Sequence, residues 1–163
     1  MNTIAEKISD FLMNVAIVAL AISLGAVVLQ VIGRYIGVFF AWTEDLTVYP
    51  FTWCILLGAA SMYHRKAHFK LDVLDTRLSP RGRLIVQIII CVLLLFFTIP
   101  MTIYGFELMY RFRNHKWITM PVKLGYTYVV MPLSGASMSF FSVCHFLTAL
   151  KELRSTNKTG GTN

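Results

Sequence analysis

The chain has 163 residues, of which 56% are hydrophobic and 14% charged, with a formal net charge of +7. With a mean hydropathy of +0.65, it lacks the polar residues that a small soluble domain needs for its surface, which excludes most globular classes and directs the apolar surface to lipid or a partner. The positive charge has an ordinary origin in anionic headgroups, so nucleic acid is not expected as a partner.

The first predicted element is an apolar run over 11–33. It is about twice as long as a signal-peptide core and no small-x-small cleavage site follows it, so it is expected to be retained as a membrane span. The second run, 46–63, follows the acidic pair Glu44 and Asp45 and leads into the basic cluster Arg65, Lys66 and Lys70, which is how a span records its two sides. The third and fourth runs cover 84–106 and 124–150. At about 1.5 Å per residue each can cross a hydrocarbon layer about 30 Å thick, the second only just.

Helices are the expected form, because unpaired backbone groups in lipid cost several kcal/mol and the runs are too long and too uniformly apolar for barrel strands. Pro50, Pro100 and Pro132 are expected as kinks absorbed by neighbouring helices. The fold class is therefore an all-α integral membrane protein, a single membrane domain over 1–163 with four transmembrane helices. An amphipathic interfacial helix is expected over 66–78, between spans two and three. There Ala67, Leu71, Leu74 and Leu78 recur at helical spacing, and Lys70, Asp72, Asp75 and Arg77 fill the other faces. Such a segment lies on lipid headgroups or braces a partner. The polar tail over 155–163 is expected to be mobile.

An amino terminus in the cytoplasm puts ten of the 15 Lys and Arg residues inside and leaves five outside: Arg34, Arg111, Arg113, Lys116 and Lys123. The positive-inside rule thus favours a multi-pass protein with both termini cytoplasmic.

Residues that carry chemistry are few. Cys54, Cys91 and Cys144 lie in predicted spans without a CxxC and read as apolar fillers. His64 and His68, four apart among basic residues at a membrane boundary, read as interfacial polar groups. His145 is the one histidine inside a span, with none expected to face it, which disfavours a di-histidine cytochrome. Asn14, Gln30, Gln87 and His145 are the main polar groups along the spans, and no internal repeat accompanies them. No catalytic residue, cofactor or metal ligand is expected. A solute path built by this chain alone would lack its usual lining.

The run Trp42, Thr43, Glu44, Asp45 that opens span two, Gly58 and Ala59 near its end, the segment from His68 to Asp72 and Arg34 closing span one together carry a resemblance. In these residues, in size and in span count, the chain resembles the small membrane subunit of tripartite ATP-independent periplasmic transporters. Asp45 stands where many relatives have a second Glu, a swap that keeps the charge and shortens its reach. The resemblance implies a partner-dependent role. A large membrane subunit carries the substrate and sodium sites and moves like an elevator, a soluble periplasmic protein delivers an organic acid, and the small subunit is the fixed scaffold. A sialic acid or a C4-dicarboxylate fits the family, with overall resemblance leaning to sialic acid.

For that role, Arg34 and the pair Glu44 and Asp45 bracket a short outer loop, either as an ion pair fixing the outer ends of spans one and two or as separate snorkelling charges. Ala21 with Gly25, Gly33 with Gly37, 58–61 and 134–137 offer small residues for close helix approach. Trp42, Trp117, Tyr104, Tyr110 and Tyr126 are expected in an outer aromatic belt, while Tyr49 and Trp53 form a stripe facing lipid or the large subunit. His68, Leu71, Asp72, Leu74 and Asp75 belong to the interfacial brace. Arg111, Arg113 and Lys116 in the third loop are candidates for docking an acidic face of the binding protein. The alternatives are a cofactor-holding membrane anchor of a redox enzyme and a small stand-alone exporter.

Overall fold

The computed structural model describes residues 2–68 and 80–159. Five helices fill them in chain order: α1 (Asn2–Ile36), α2 (Trp42–His68), α3 (Pro80–Arg111), α4 (Leu124–Tyr128) and α5 (Val130–Thr159). Four stretches are long and apolar enough to cross a membrane: Ala5–Ile36, Trp42–Arg65, Leu84–Arg111 and Leu124–Glu152, the last formed by α4 and α5 together. The expected all-α class with four spans holds, and each helix extends beyond its apolar run. The extension matters most for the second span, whose apolar run only just reaches, because its helix begins at Trp42 and takes Glu44 and Asp45 into its first turn, where acidic groups complement the helix dipole. Its 24 residues span about 36 Å at 1.5 Å per residue. Most of the expected interfacial helix, with Leu71, Asp72, Leu74 and Asp75, lies outside the described residues.

Each span reverses the previous one, so the α1–α2 and α3–α4 connections meet at one end of the bundle, here termed distal, and both termini point to the other, proximal end. α1 packs chiefly on α2, α3 on α5, and α2 on α5, which makes α2 and α5 the central pair and leaves α1 and α3 at the edges.

The buried seam of α1 is Ala5, Ser9, Leu12, Ala16, Ala19, Ser23 and Ala26. These positions recur in alternating steps of four and three, so one narrow line of mostly small side chains faces α2 and lets the two backbones approach. Ala21 and Gly25, the other small pair on this helix, lie exposed on the surface of the chain, where a Cβ on Gly25 would meet nothing within 4 Å. Hydroxyls tie the seam. Ser9 and Ser61 face each other at 2.9 Å, Ser61 Oγ donates to the Ser9 carbonyl at 2.9 Å, and Ser23 Oγ donates to the Thr47 carbonyl at 2.8 Å. Thr47 follows Leu46, whose carbonyl Pro50 deprives of a helical donor, so this contact braces α2 where its own ladder is broken.

α1 ends in a Schellman motif. Gly37, at φ +76°, donates to the Arg34 carbonyl at 3.4 Å, and Val38 donates to the Gly33 carbonyl at 2.9 Å. The chain then folds back over Gly33, where a Cβ would stand 2.7 Å from the Val38 oxygen and 2.9 Å from the Phe40 ring.

α3 and α5 meet almost backbone to backbone. A Cβ on Gly135 would lie 2.5 Å from Thr102 Oγ1, and one on Gly105 would lie 2.8 Å from the Pro132 nitrogen. Ser142 Oγ donates to the Cys91 carbonyl at 3.0 Å and Ser139 Oγ to Thr98 Oγ1 at 2.8 Å. The break between α4 and α5 falls at Val129, next to Tyr128, whose carbonyl would collide with the ring of Pro132 four residues on. The core among α1, α2 and α5 joins Ala5, Leu12, Ala16, Leu57, Ala60, Val130 and Phe141.

Candidate functional site

Asp45, Tyr49 and Trp53 follow one another at steps of four and share one face of α2. That face looks toward α5 and the connection before α4, over 112–123. The connection folds back on itself: Trp117 donates its N–H to the Val122 carbonyl at 2.9 Å, Leu124 donates to the His115 carbonyl at 2.8 Å, and Lys116 pairs with Lys123 in an antiparallel bridge. This hairpin forms a distal cap on α2.

Three contacts seat the cap. One Asp45 carboxylate oxygen accepts from the backbone N–H of Thr119 at 3.0 Å and from its hydroxyl at 2.6 Å. The rings of Tyr49 and Trp117 meet with centroids 4.5 Å apart. At the break before α5, Trp53 Nε1 donates to the Thr127 carbonyl at 3.1 Å and Trp117 Nε1 donates to the Thr127 hydroxyl at 3.0 Å. Both indole N–H groups therefore end on one buried threonine, which satisfies the only polar atom that each tryptophan has to place. Gly125 completes the fit, since a Cβ there would come within 2.8 Å of Arg113 Cα.

The charges at this end part company. Arg34 forms no ion pair with Glu44 or Asp45 among the described residues, because Asp45 shares the α2 face of Tyr49 and Trp53, turned to the cap, and its carboxylate is engaged there. Arg34 lines a groove beside the 37–40 turn, and Glu44 is exposed. Trp42 is part-exposed next to Phe40, with centroids 6.1 Å apart. Within the chain, the half-buried Tyr49 and Trp53 make their contacts with Trp117 of the cap and with Thr127. Of the basic candidates, Arg111, Arg113 and Lys116 are exposed, and the Arg113 guanidinium lies over the Tyr110 ring at 4.4 Å. His68 ends α2.

At the proximal end a second cluster corrects the reading of the histidines. His64, near the end of its span, is buried between helices, because α2 continues beyond Tyr63 and puts it on the face of Leu57, Ala60 and Ser61. Its ring stacks on Phe141 at 4.6 Å and on His145 at 5.6 Å, so His145 does have a histidine facing it. Tyr63 meets His145 edge-on at 5.7 Å, and its hydroxyl reaches Ser142 Oγ at 3.4 Å. No group of three or more metal-ligating side chains occurs among the described residues.

Thr119 and Thr127 were missed in the sequence because threonine in an apolar span or a loop carries no signal of its own. The available hint was the pair Trp53 and Trp117, since each buried indole needs an acceptor.

A family model described as "Tripartite ATP-independent periplasmic transporters, DctQ component" matches residues 23–152. The chain belongs to that family. A search of curated proteins gave no match. The match takes in α2, α3 and α4 whole with the distal part of α1 and most of α5, so the cap and the proximal cluster both lie within the DctQ region. As a DctQ component, this multi-pass membrane protein is a small permease subunit of a tripartite transporter; in such systems the DctQ family works with DctM and DctP components.

Proposed function

We propose that this DctQ component is the fixed scaffold of a sodium-coupled transporter that takes up an organic acid, a sialic acid or a C4-dicarboxylate. In this reading the large membrane subunit holds the substrate and ion sites and moves against it like an elevator. The observation that carries the reading is the use made of the buried polar groups. Ser9, Ser23, Ser61, Thr98, Thr127 and Ser142 are buried and spend their hydroxyls on neighbouring helices or the cap, and Asp45, at the distal end, is engaged by Thr119. Such pairing stiffens helix packing but offers a hydrophilic solute no exchangeable lining.

The bundle also has apolar surface to give a partner. Val48, Phe51, Ile55 and Met62 form one exposed stripe on α2, and Ile89, Val92, Phe96 and Ile103 are exposed on α3. A scaffold of this kind belongs in the bacterial inner membrane with both termini cytoplasmic, which makes the cap periplasmic. Its exposed Arg111, Arg113 and Lys116 are then placed to meet an acidic face of the binding protein. The cross-strand pairing of Lys116 with Lys123 supports this, because facing like charges favour an anionic partner.

Reconstitution in vesicles tests the proposal. Uptake should require all three components, and a tagged chain should bring down the large subunit. Uptake by this chain alone would refute the scaffold. Reversing the charge of Arg111 and Arg113 should reduce uptake most at low binding-protein concentration, and unchanged uptake would reject docking at the cap.

A further inference from the structure

At the distal end of α1, on the edge of the array, a half-open groove of about 620 Å³ runs between the helix and the turn that follows it. Val27, Val31, Val38 and Phe39 line it together with Gln30 and Arg34. Arg34 is the one charged residue in its wall and forms no ion pair among the described residues. We propose that this groove holds one anionic glycerophospholipid, such as phosphatidylglycerol, with its phosphate on the Arg34 guanidinium and the upper part of an acyl chain against Val31 and Val27.

Three features argue for a lipid. The polarity runs in one direction: Arg34 lies at the helix end and Val27 seven residues earlier, about 10 Å deeper in the hydrocarbon at 1.5 Å per residue. A phospholipid has the same gradient, with a negative group at the headgroup level and apolar chain beneath it. The wall is also built before any ligand arrives. The Schellman turn at Gly37, the close return over Gly33 and the Thr43 hydroxyl, which donates to the Phe40 carbonyl at 2.6 Å, hold 38–40 against the helix. Finally, a guanidinium near the membrane edge offers paired N–H donors that suit phosphate oxygens, and an anionic headgroup supplies the charge that Arg34 lacks from the protein.

Native mass spectrometry of the purified full-length chain, titrated with phosphatidylglycerol or phosphatidylcholine, tests the site. Wild type should retain one phosphatidylglycerol in preference to phosphatidylcholine. Arg34→Ala should weaken that binding about tenfold through loss of a charge-assisted contact, while Arg34→Lys, which keeps the charge without the paired donors, should fall between Arg34→Ala and wild type. Val31→Trp should exclude the lipid with the charge intact, and Arg111→Ala should bind as wild type does. A photo-crosslinker in place of Phe39 in intact membranes should trap phospholipid. Equal binding by wild type and Arg34→Ala, equal loss in Arg111→Ala, no headgroup preference, or a protein adduct at position 39 instead of lipid would each overturn the assignment.

Discussion

Thr119 donates both its backbone N–H and its hydroxyl to one carboxylate oxygen of Asp45, at 3.0 and 2.6 Å, across 74 residues of chain. Both bonds end on a charged acceptor at the N-terminal turn of α2, so this one side chain stabilises its helix end and fastens the cap. Asp45→Ala should cost about 1–3 kcal/mol. Loosening of the hairpin should speed tryptic cleavage after Lys116 or Lys123 about tenfold for each 1.4 kcal/mol lost. Asp45→Asn, which keeps an acceptor oxygen, should fall between the two. An unchanged cleavage rate in Asp45→Ala would show that other contacts hold the cap.

The two indoles on Thr127 use different atoms, and that difference is measurable. Trp117→Phe and Thr127→Val each remove the side-chain bond, so the double variant should lose less than the sum, with a coupling of about 0.5–1.5 kcal/mol. Trp53 bonds to the carbonyl, which Thr127→Val leaves in place, so Trp53→Phe and Thr127→Val should combine additively. Thermal unfolding of the three single and two double variants decides it, and coupling in the second pair would contradict the assigned geometry.

Glycines in the spans should divide sharply. Gly135→Ala pushes a methyl to 2.5 Å from Thr102 Oγ1 and 3.2 Å from two backbone atoms of α3, which should cost about 1–3 kcal/mol by overpacking. Gly25→Ala and Gly58→Ala meet nothing within 4 Å. They should be neutral or stabilising by up to about 1 kcal/mol, because alanine is the better helix former. Melting temperatures in detergent give the order, and a damaging Gly25→Ala would mean that its face is covered in the assembly.

At the proximal end two polar links invite the opposite weighting from their appearance. The Asp10–Arg65 ion pair, at 2.8 Å, is 67% and 47% exposed at its two side chains, so Asp10→Asn should change stability by less than about 1 kcal/mol. The buried Ser9–Ser61 pair looks weaker, yet Ser61→Ala removes the hydroxyl that meets both Ser9 Oγ and the Ser9 carbonyl in the buried seam and should cost about 0.5–1.5 kcal/mol at any salt concentration. Denaturation at low and high salt should move only the first.

How much was legible differs from residue to residue for physical reasons. The spans could be read because apolar run length is a one-dimensional property. The helix ends could not, since Glu44 and Asp45 look like loop charges until the dipole of α2 claims them. Tyr49 and Trp53 were visible as a stripe, but which way it faces depends on Trp117 and Thr127. His64 looked interfacial among Arg65 and Lys66, yet helical phase places it with Leu57, Ala60 and Ser61 on the buried side. The small-residue pairs were ambiguous for the same reason: Ala21 with Gly25 and Ser23 with Ala26 are equally small, and only packing selects the second line.

Composition and hydropathy alone determined that this is a helical membrane protein with four spans, because a lipid environment demands long apolar helices whatever their partners. Tertiary structure decided which faces meet, that Asp45 belongs to Thr119 and not to Arg34, and that His64 and His145 stack. Those outcomes depend on the rotation of each helix about its axis, and rotation is set by contacts between segments many residues apart.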